Sequence, residues 1–433
     1  MAAATADARV APLRALADDI SRRFPDLGHL GPGGVLRVPV DVGRVTRVRL
    51  ELPRQFLHLQ SIALVTDDGS DAARGAVVTA SSWYDGYGEK FDPVRLFDWD
   101  HPDGTTVHTE KDRLSWVEVR LATPVRLTEI RIRNVNNATA TRAQGVRVVV
   151  RTRWRRHVLF DGAARHKALR AVVAAYDLGD ADPQVRALVP VLVDTFRGAY
   201  PAARKALQHS ELDPDLLKAF RGVVNAELLP SRQLLWTIHG PTRSFRFWTP
   251  AEQSAYVQFA VEVADALREV TPHVSFGFGA VLSVVRDKAL IPHDDDLDVI
   301  IGFEPHEAAT LADGLAVVTA ALEERGFSVR GNYSAHRQIG RNHRGKHVDV
   351  FVGLFEGDAI SWYPGTRGAL DRETMFPTTT APLLGVECPI PARPEVYLAA
   401  LYGEGWHTPD PHFAHRWDRS AYADLAGTPP ART

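Results

Sequence analysis

A single cysteine, Cys388, stands among 433 residues. It has no partner for an internal disulfide, and it cannot build a Cys/His zinc cluster by itself. Such sparing use fits a reducing compartment. Long apolar runs are missing as well. Nothing approaches the roughly eighteen residues that a membrane helix needs, so any membrane contact is expected to be peripheral. Excess charge is missing too: 51 Lys and Arg face 53 Asp and Glu, for a net charge of −2 and a pI of about 6.8. A dedicated nucleic-acid binder would show a basic balance, so nucleic acid is not an expected partner. The opening stretch "MAAATADARVAPLRALADDISRRF" carries Asp7, Asp18 and Asp19 among its apolar residues. It lacks the basic start and continuous apolar core of a secretion signal. It reads as a short amphipathic helix, residues 1–30, in a cytoplasmic protein. The chain has no internal repeat and no low-complexity tract.

What is present is ordinary for a globular chain, with 45% hydrophobic and 24% charged residues. The length calls for two or three domains. Residues 31–160 alternate in short runs: "VLRVPVDV", "RVTRVRLEL", "SIALVTDD", "SWVEVRL", "LTEIRIRNV" and "GVRVVVRTRW". Gly, Pro, Asp and Asn separate them, which predicts an antiparallel, jelly-roll-like sandwich. Residues 161–245 change to a helical period, with Asp182-Pro183 and Asp213-Pro214 as helix starts. This stretch reads as a helical connector. Thr249-Pro250-Ala251-Glu252 is a further start signal, a capping box with Pro at the first helical position. It opens an α/β region over residues 246–420.

That region holds "IPHDDDLDVII", residues 291–301, in which four of the five positions from 294 to 298 are aspartate. Crowded carboxylates repel, and buried unpaired charge is costly, so something positive should compensate. If the run is extended, Asp294, Asp296 and Asp298 share a face while Asp295 points away or toward solvent. Three converging hard oxygen donors suit Mg²⁺ or Mn²⁺. Asp349, in the second apolar run "KHVDVFVGL", reaches the same cleft if the two strands pair. Two metals about 4 Å apart would then clamp a phosphoryl group.

Upstream, "FGFGAVLSVVRDKALIP" places Gly277 and Gly279 where a backbone would approach a ligand. The helix expected to follow would turn its first amides toward a phosphate, and Arg286 and Lys288 would add charge-assisted bonds. Arg341, His343, Arg344, Lys346 and His347 offer a cationic lid near Asp349. His407, His412 and His415 have no metal-like spacing and stay unassigned.

Two resemblances arise from these residues. "GFGAVLSVVRDKALIPHDDDLDV" at 277–299 and "FPTTTAPLLGVECPIPARPEVYLAALYGEGW" at 376–406 resemble, in the same order, the signatures of the LicD family, which includes the fukutin-related proteins. The resemblance covers roughly residues 250–410. It implies a nucleotidyltransferase fold and transfer of a phospho-substituent, of phosphocholine or phospho-alditol type, from a CDP-linked donor to a glycan hydroxyl. Asp294, Asp296 and Asp298 match the metal-binding acidic set. Asp349 matches a further carboxylate, as metal ligand or base, while Gly279 and Arg286 match the turn glycine and the arginine. Three positions depart from the pattern. Phe278-Gly279-Ala280 lacks one glycine and one hydroxyl, Ser283 stands for a later glycine in place of a phosphate contact, and His293 replaces an aromatic.

The second resemblance is to discoidin-like jelly rolls, carried by "TASSWYDG" at 79–86 and "SWVEVRLATPVRLTEIRIRN" at 115–134. It implies a module that binds glycan or another surface through loops. Trp83, Tyr84, Tyr87, Phe91, Phe97 and Trp99 would stack on sugars or fill the core.

The expectation is therefore an α+β multidomain enzyme, a metal-dependent phosphotransferase at the inner face of the membrane. A nucleotidyltransferase moving NMP from an NTP, or a non-catalytic glycan-binding protein, are the alternatives.

Overall fold

The computed structural model describes residues 5–73, 75–84, 93–99, 106–137, 139–208, 210–341, 346–362, 365–415, 418 and 420–427. Tyr87, Phe91, His343 and Arg344 lie outside the described residues. The chain divides into two units, 1–232 and 233–433. Among the described residues no helix is long and apolar enough to cross a membrane.

In the first unit every strand pairing is antiparallel. A five-stranded sheet runs Arg156–Asp161, Arg147–Thr152, Val45–Pro53, Leu114–Val125, Val77–Ala80. A three-stranded sheet runs Val35–Pro39, Leu127–Arg133, Ser61–Thr66. Alternation places Val48, Leu50, Val117, Val119, Val148 and Val150 in the core, with charged residues between them. Helices follow. Asp182 and Asp213 cap theirs by accepting from Gln184 and Asp215 amides, as the Asp-Pro pairs predict. The N-terminal helix is broken at Val10, and Leu13, Leu16, Ala17 and Ile20 bury its second part, Ala11–Arg23. Of the aromatic cluster, Trp83 and Tyr84 are exposed, and Phe97 and Trp99 are half-buried. Tyr84 stacks on His108, and Arg133 lies over Trp99.

The second unit is built on a mixed sheet. Its main order is Val274–Gly277, Asp298–Phe303, Val348–Glu356, His336–Gly340, Ser328–Arg330. Asp298–Phe303 and Val348–Glu356 are parallel, and the other pairs are antiparallel. A parallel pair needs a crossover, and the helix Leu311–Glu324 supplies it, capped by Thr310 and Asp313. The helix Pro250–Arg268 begins with the Thr249/Glu252 capping box and buries Tyr256, Val257, Phe259, Ala260, Val263, Ala264 and Leu267. The strands at the centre are buried on both faces, so Val299–Ile301 and Val348–Leu354 read as continuous apolar runs. An aspartate inside such a run is conspicuous.

Candidate active site

Asp298 opens its strand and pairs in parallel register with Asp349. Residues abreast on neighbouring strands point to the same face, so both carboxylates project to one side. Asp349 is 7% exposed, and its Oδ1 has no hydrogen-bond partner. Its two ion-pair neighbours are imidazoles, His336 Nε2 at 3.4 Å and His347 Nε2 at 3.6 Å.

The strand does not extend back through the acidic run. Asp294 to Leu297 are irregular, contrary to the extended reading. Their backbone is held by other groups instead. Asp295 N–H donates to Asp294 Oδ1 at 2.9 Å, Leu297 N–H to Tyr256 Oη at 3.0 Å, and Asp294 C=O accepts from Phe245 N–H at 2.8 Å. Tyr256 Oη in turn donates to His347 C=O at 2.6 Å, tying the acidic loop to the segment before Asp349. Asp295 does not face solvent. It accepts from His239 Nδ1 at 3.1 Å and Thr237 Oγ1 at 3.3 Å. His239 Nδ1 is also 3.7 Å from Asp296 Oδ2. His239, Asp295 and Asp296 each offer an atom within 4.8 Å of the others, a group able to hold a metal ion.

Gly279 is required by this arrangement. A Cβ there would lie 2.6 Å from Asp294 Oδ2, so the acidic loop closes onto bare backbone. Gly277 is pressed against Ile300, a packing role rather than a ligand approach.

The electrostatics follow from burial. Asp294, Asp296 and Asp298 are all pushed upward, foremost by desolvation and then by neighbouring carboxylates. Burial foremost, then Asp296, lifts Asp349 to about 8. Burial pulls His239 down, but the Asp295 bond and the charges of Asp296 and Asp294 prevail and hold it at about 9. The same bond outweighs burial at Asp295 and lowers it. His336 and His347 are driven to about 4 by burial, so they are neutral and offset no charge. Lys346 Nζ sits 3.4 Å from Asp295 C=O and 4.9 Å from the Trp248 ring. Positive charge from His239 and Lys346 bears most directly on Asp295 and Asp296, whereas among the described residues no lysine or arginine pairs with Asp298 or Asp349. A carboxylate-rich donor set with one orphaned buried oxygen fits a hard divalent cation.

Other expected contacts lie elsewhere. Arg286 forks onto Asp287 with two 2.9 Å bonds and donates to Trp406 C=O at 3.0 Å. The helix expected after Gly279 is one turn, Phe278–Leu282, continued as a π turn over Ser283–Asp287. Ser283 is buried inside it, and Lys288 is exposed at φ 53°. Phe278 occupies the left-handed region at φ 44° and donates its N–H to Tyr397 Oη at 2.8 Å. Its ring packs on Phe351 and on His415. Arg341 reaches Glu262 instead of the acidic cluster. His293 is half-buried and lowered by burial. His407 packs on Trp406, and His412 donates its amide to Asp410. His239 and Tyr256 escaped the sequence reading because they lie 40 or more residues from the acidic loop they meet, and His336 because only the antiparallel return of its strand brings it to Asp349. The one local sign was the Ile238-His239 turn between two short strands, Leu235–Thr237 and Gly240–Thr242.

Residues 275–393 match the family model described as LicD/FKTN/FKRP, nucleotidyltransferase domain. This segment is a LicD-family domain. The acidic loop, the Asp298–Asp349 pair and Gly279 all lie within the LicD domain, whereas His239 and Tyr256 precede it. Two solved structures of an antibiotic-resistance factor are also similar. ANT(2″)-Ia in complex with adenylyl-2″-tobramycin is 13% identical, with 40% of this chain and 87% of that one covered and a TM-score of 0.25. The solution structure of ANT(2″)-Ia is 12% identical, with 40% and 83% covered and a TM-score of 0.26. No curated protein matches the chain.

Proposed function

We propose that the LicD domain transfers a phospho-substituent from a CDP-linked donor to a glycan hydroxyl, in the cytoplasm at the inner face of the membrane. The observation that carries this reading is the register pairing of Asp298 with Asp349 beside the Asp294–Asp296 loop, with no lysine or arginine paired to either carboxylate among the described residues. Asp294, Asp296 and Asp298 would hold Mg²⁺ or Mn²⁺. Bound there, the ion supplies charge neutralisation for phosphoryl oxygens.

The chain's own residues do the rest. Gly279 leaves room for Asp294, and Tyr256 pins Leu297 to His347, so the carboxylates are positioned before substrate arrives. Asp349, whose Oδ1 has no hydrogen-bond partner among the described residues, would take the proton of the acceptor hydroxyl. The acceptor oxygen bonds to the distal phosphorus, the anhydride P–O bond breaks, and CMP leaves with the electron pair.

CMP release from CDP-choline, CDP-glycerol and CDP-ribitol, with Mn²⁺ and a mixed glycan acceptor, tests the proposal against Asp298→Asn as control. Turnover of one donor that the variant lacks supports it. Release of pyrophosphate from CTP, with the base retained on the product, would replace it with nucleotidyl transfer.

A further inference from the structure

The sheet face that carries Asp298 and Asp349 continues past the carboxylates. Register places Gln338 abreast of Asp349, and one row further on Ile300, Phe351 and His336 lie abreast of one another. Side chains two apart on a strand share a face, so an apolar, largely aromatic row borders the carboxylate row. His336 stacks on two rings, Phe351 at 4.7 Å and Tyr333 at 4.4 Å, the latter within 12° of parallel. Its Nε2 stands 3.4 Å from Asp349 Oδ2, and its buried Nδ1 has no hydrogen-bond partner among the described residues. Phe278, next to Gly279, meets Phe351 edge-on at 5.0 Å. The rings form a shelf that runs from the Gly279 turn, past Asp349, to Tyr333.

Tyr333 is the outermost ring, on the loop between Ser328–Arg330 and His336–Gly340. That loop fixes it in place. Arg337 Nη1 donates to Tyr333 C=O at 2.7 Å and to His336 C=O at 3.1 Å. Gly331, at φ 84°, lies against the ring edge, where a Cβ would come within 2.7 Å of Tyr333 Cε2. Yet Tyr333 is 49% exposed. A tyrosine that served only the core would be covered. This one is held parallel to the imidazole beside Asp349 and left half open.

We propose that Tyr333 is the stacking platform for the acceptor, and that this acceptor is a ring sugar rather than an open-chain alditol. The inference rests on the transfer reading, in which Asp349 takes the acceptor proton. Strand order separates the two substrates. Gly279 and the acidic loop, which would receive the donor's phosphates, belong to the side of Val274–Gly277 and Asp298–Phe303, whereas Tyr333 lies beyond Asp349 on the side of His336–Gly340. In-line transfer needs the attacking hydroxyl opposite the leaving group, and Tyr333 stands on that opposite side. A cytosine stacked on Tyr333 would put the donor where the acceptor must enter. A flat aromatic face suits the C–H face of a pyranose, whose hydroxyl edge would then turn toward Asp349 and Gln338. An extended alditol has no such face.

The test is saturation-transfer NMR on the full chain, with methyl glucopyranoside, methyl galactopyranoside, ribitol and CMP as probes. A pyranoside is expected to show saturation of its ring protons, lost in Tyr333→Ala and kept in Tyr333→Phe, while the CMP signal is the same in all three proteins. An unchanged melting temperature shows that each variant is folded. In the CMP-release assay Tyr333→Ala should raise the acceptor KM about tenfold, with kcat and the donor KM nearly held. Loss of the CMP signal in Tyr333→Ala would make the ring a base platform and overturn the proposal. Pyranoside signals that are absent or indifferent to Tyr333, or a ribitol signal that depends on it, would overturn it too. No CMP release by the parent chain, alongside a pyranoside signal that needs Tyr333, would strike the transfer reading and leave the sugar subsite standing.

Discussion

Asp298 and Asp349 lie side by side on parallel strands, 51 positions apart in sequence and in direct register. Burial foremost, then Asp296 and Asp349, raise the proton affinity of Asp298. Replacing either by Asn removes a buried like-charge contact. We expect activity to fall on the order of 10²–10³-fold for Asp298→Asn. The metal-free variant should melt no lower than the parent. A variant that keeps full turnover removes these carboxylates from the chemistry.

The pH dependence has a definite sign. Asp349 ionises near 3.8 when unfolded and at about 8 when folded. The folded state therefore holds the extra proton between these values, and metal-free stability should decline as pH rises through that window. His336 and His347, at about 4 folded, work the other way and lose stability as pH falls below about 6.5. A divalent cation must displace the carboxyl protons. The rise in melting temperature caused by Mn²⁺ should thus be larger near pH 8.5 than near pH 6, measured by scanning fluorimetry. A rise independent of pH would contradict this.

Gly279→Ala places a methyl group 2.6 Å from Asp294 Oδ2, inside contact distance. Displacing a carboxylate by about 1 Å can cost on the order of 10²-fold in rate, with little loss of fold. Steady-state kinetics alongside a thermal melt separate the two effects. An active Gly279→Ala enzyme would show that Asp294 has freedom to move.

Tyr256→Phe removes one hydroxyl that both donates and accepts. Leu297 N–H and His347 C=O lose that partner, so about 1–3 kcal/mol of stability should be lost in urea titration. Metal affinity should drop as well, because the acidic loop is no longer tied down.

His239→Ala probes the nitrogen that stands beside Asp295 and Asp296. Imidazole favours transition ions over Mg²⁺. Calorimetry should show Zn²⁺ or Mn²⁺ weakened roughly tenfold or more and Mg²⁺ weakened less. Equal loss for all three ions would mean that His239 only supports Asp295.

Local signals were legible wherever the physics is local. The Thr249/Glu252 box and the Asp-Pro caps depend on atoms two or three residues apart, and each was readable directly. Alternation marked the strands of the first unit because one face of each meets a core. The motif around Gly279 and the aspartates announced the LicD domain. The assumption of an extended acidic run failed because extension needs a neighbouring strand, and Phe245 and Tyr256 supplied the hydrogen bonds instead. The pairing of Arg286 with the adjacent Asp287 was not anticipated, because the sequence does not say which way its fork turns.

The sequence by itself determined the kinds of element, their caps and the chemistry available: oxygen donors in excess, one cysteine, and glycine where backbone must be bare. The tertiary structure alone decided which charges meet. Register set Asp298 beside Asp349 and laid Arg156, Arg151, Arg47 and Arg120 in one row. Chain return brought His239 to Asp295 and left Asp349 with neutral imidazoles. Propensity acts within a few residues, whereas Coulomb energy and desolvation depend on distances that only the closed fold creates.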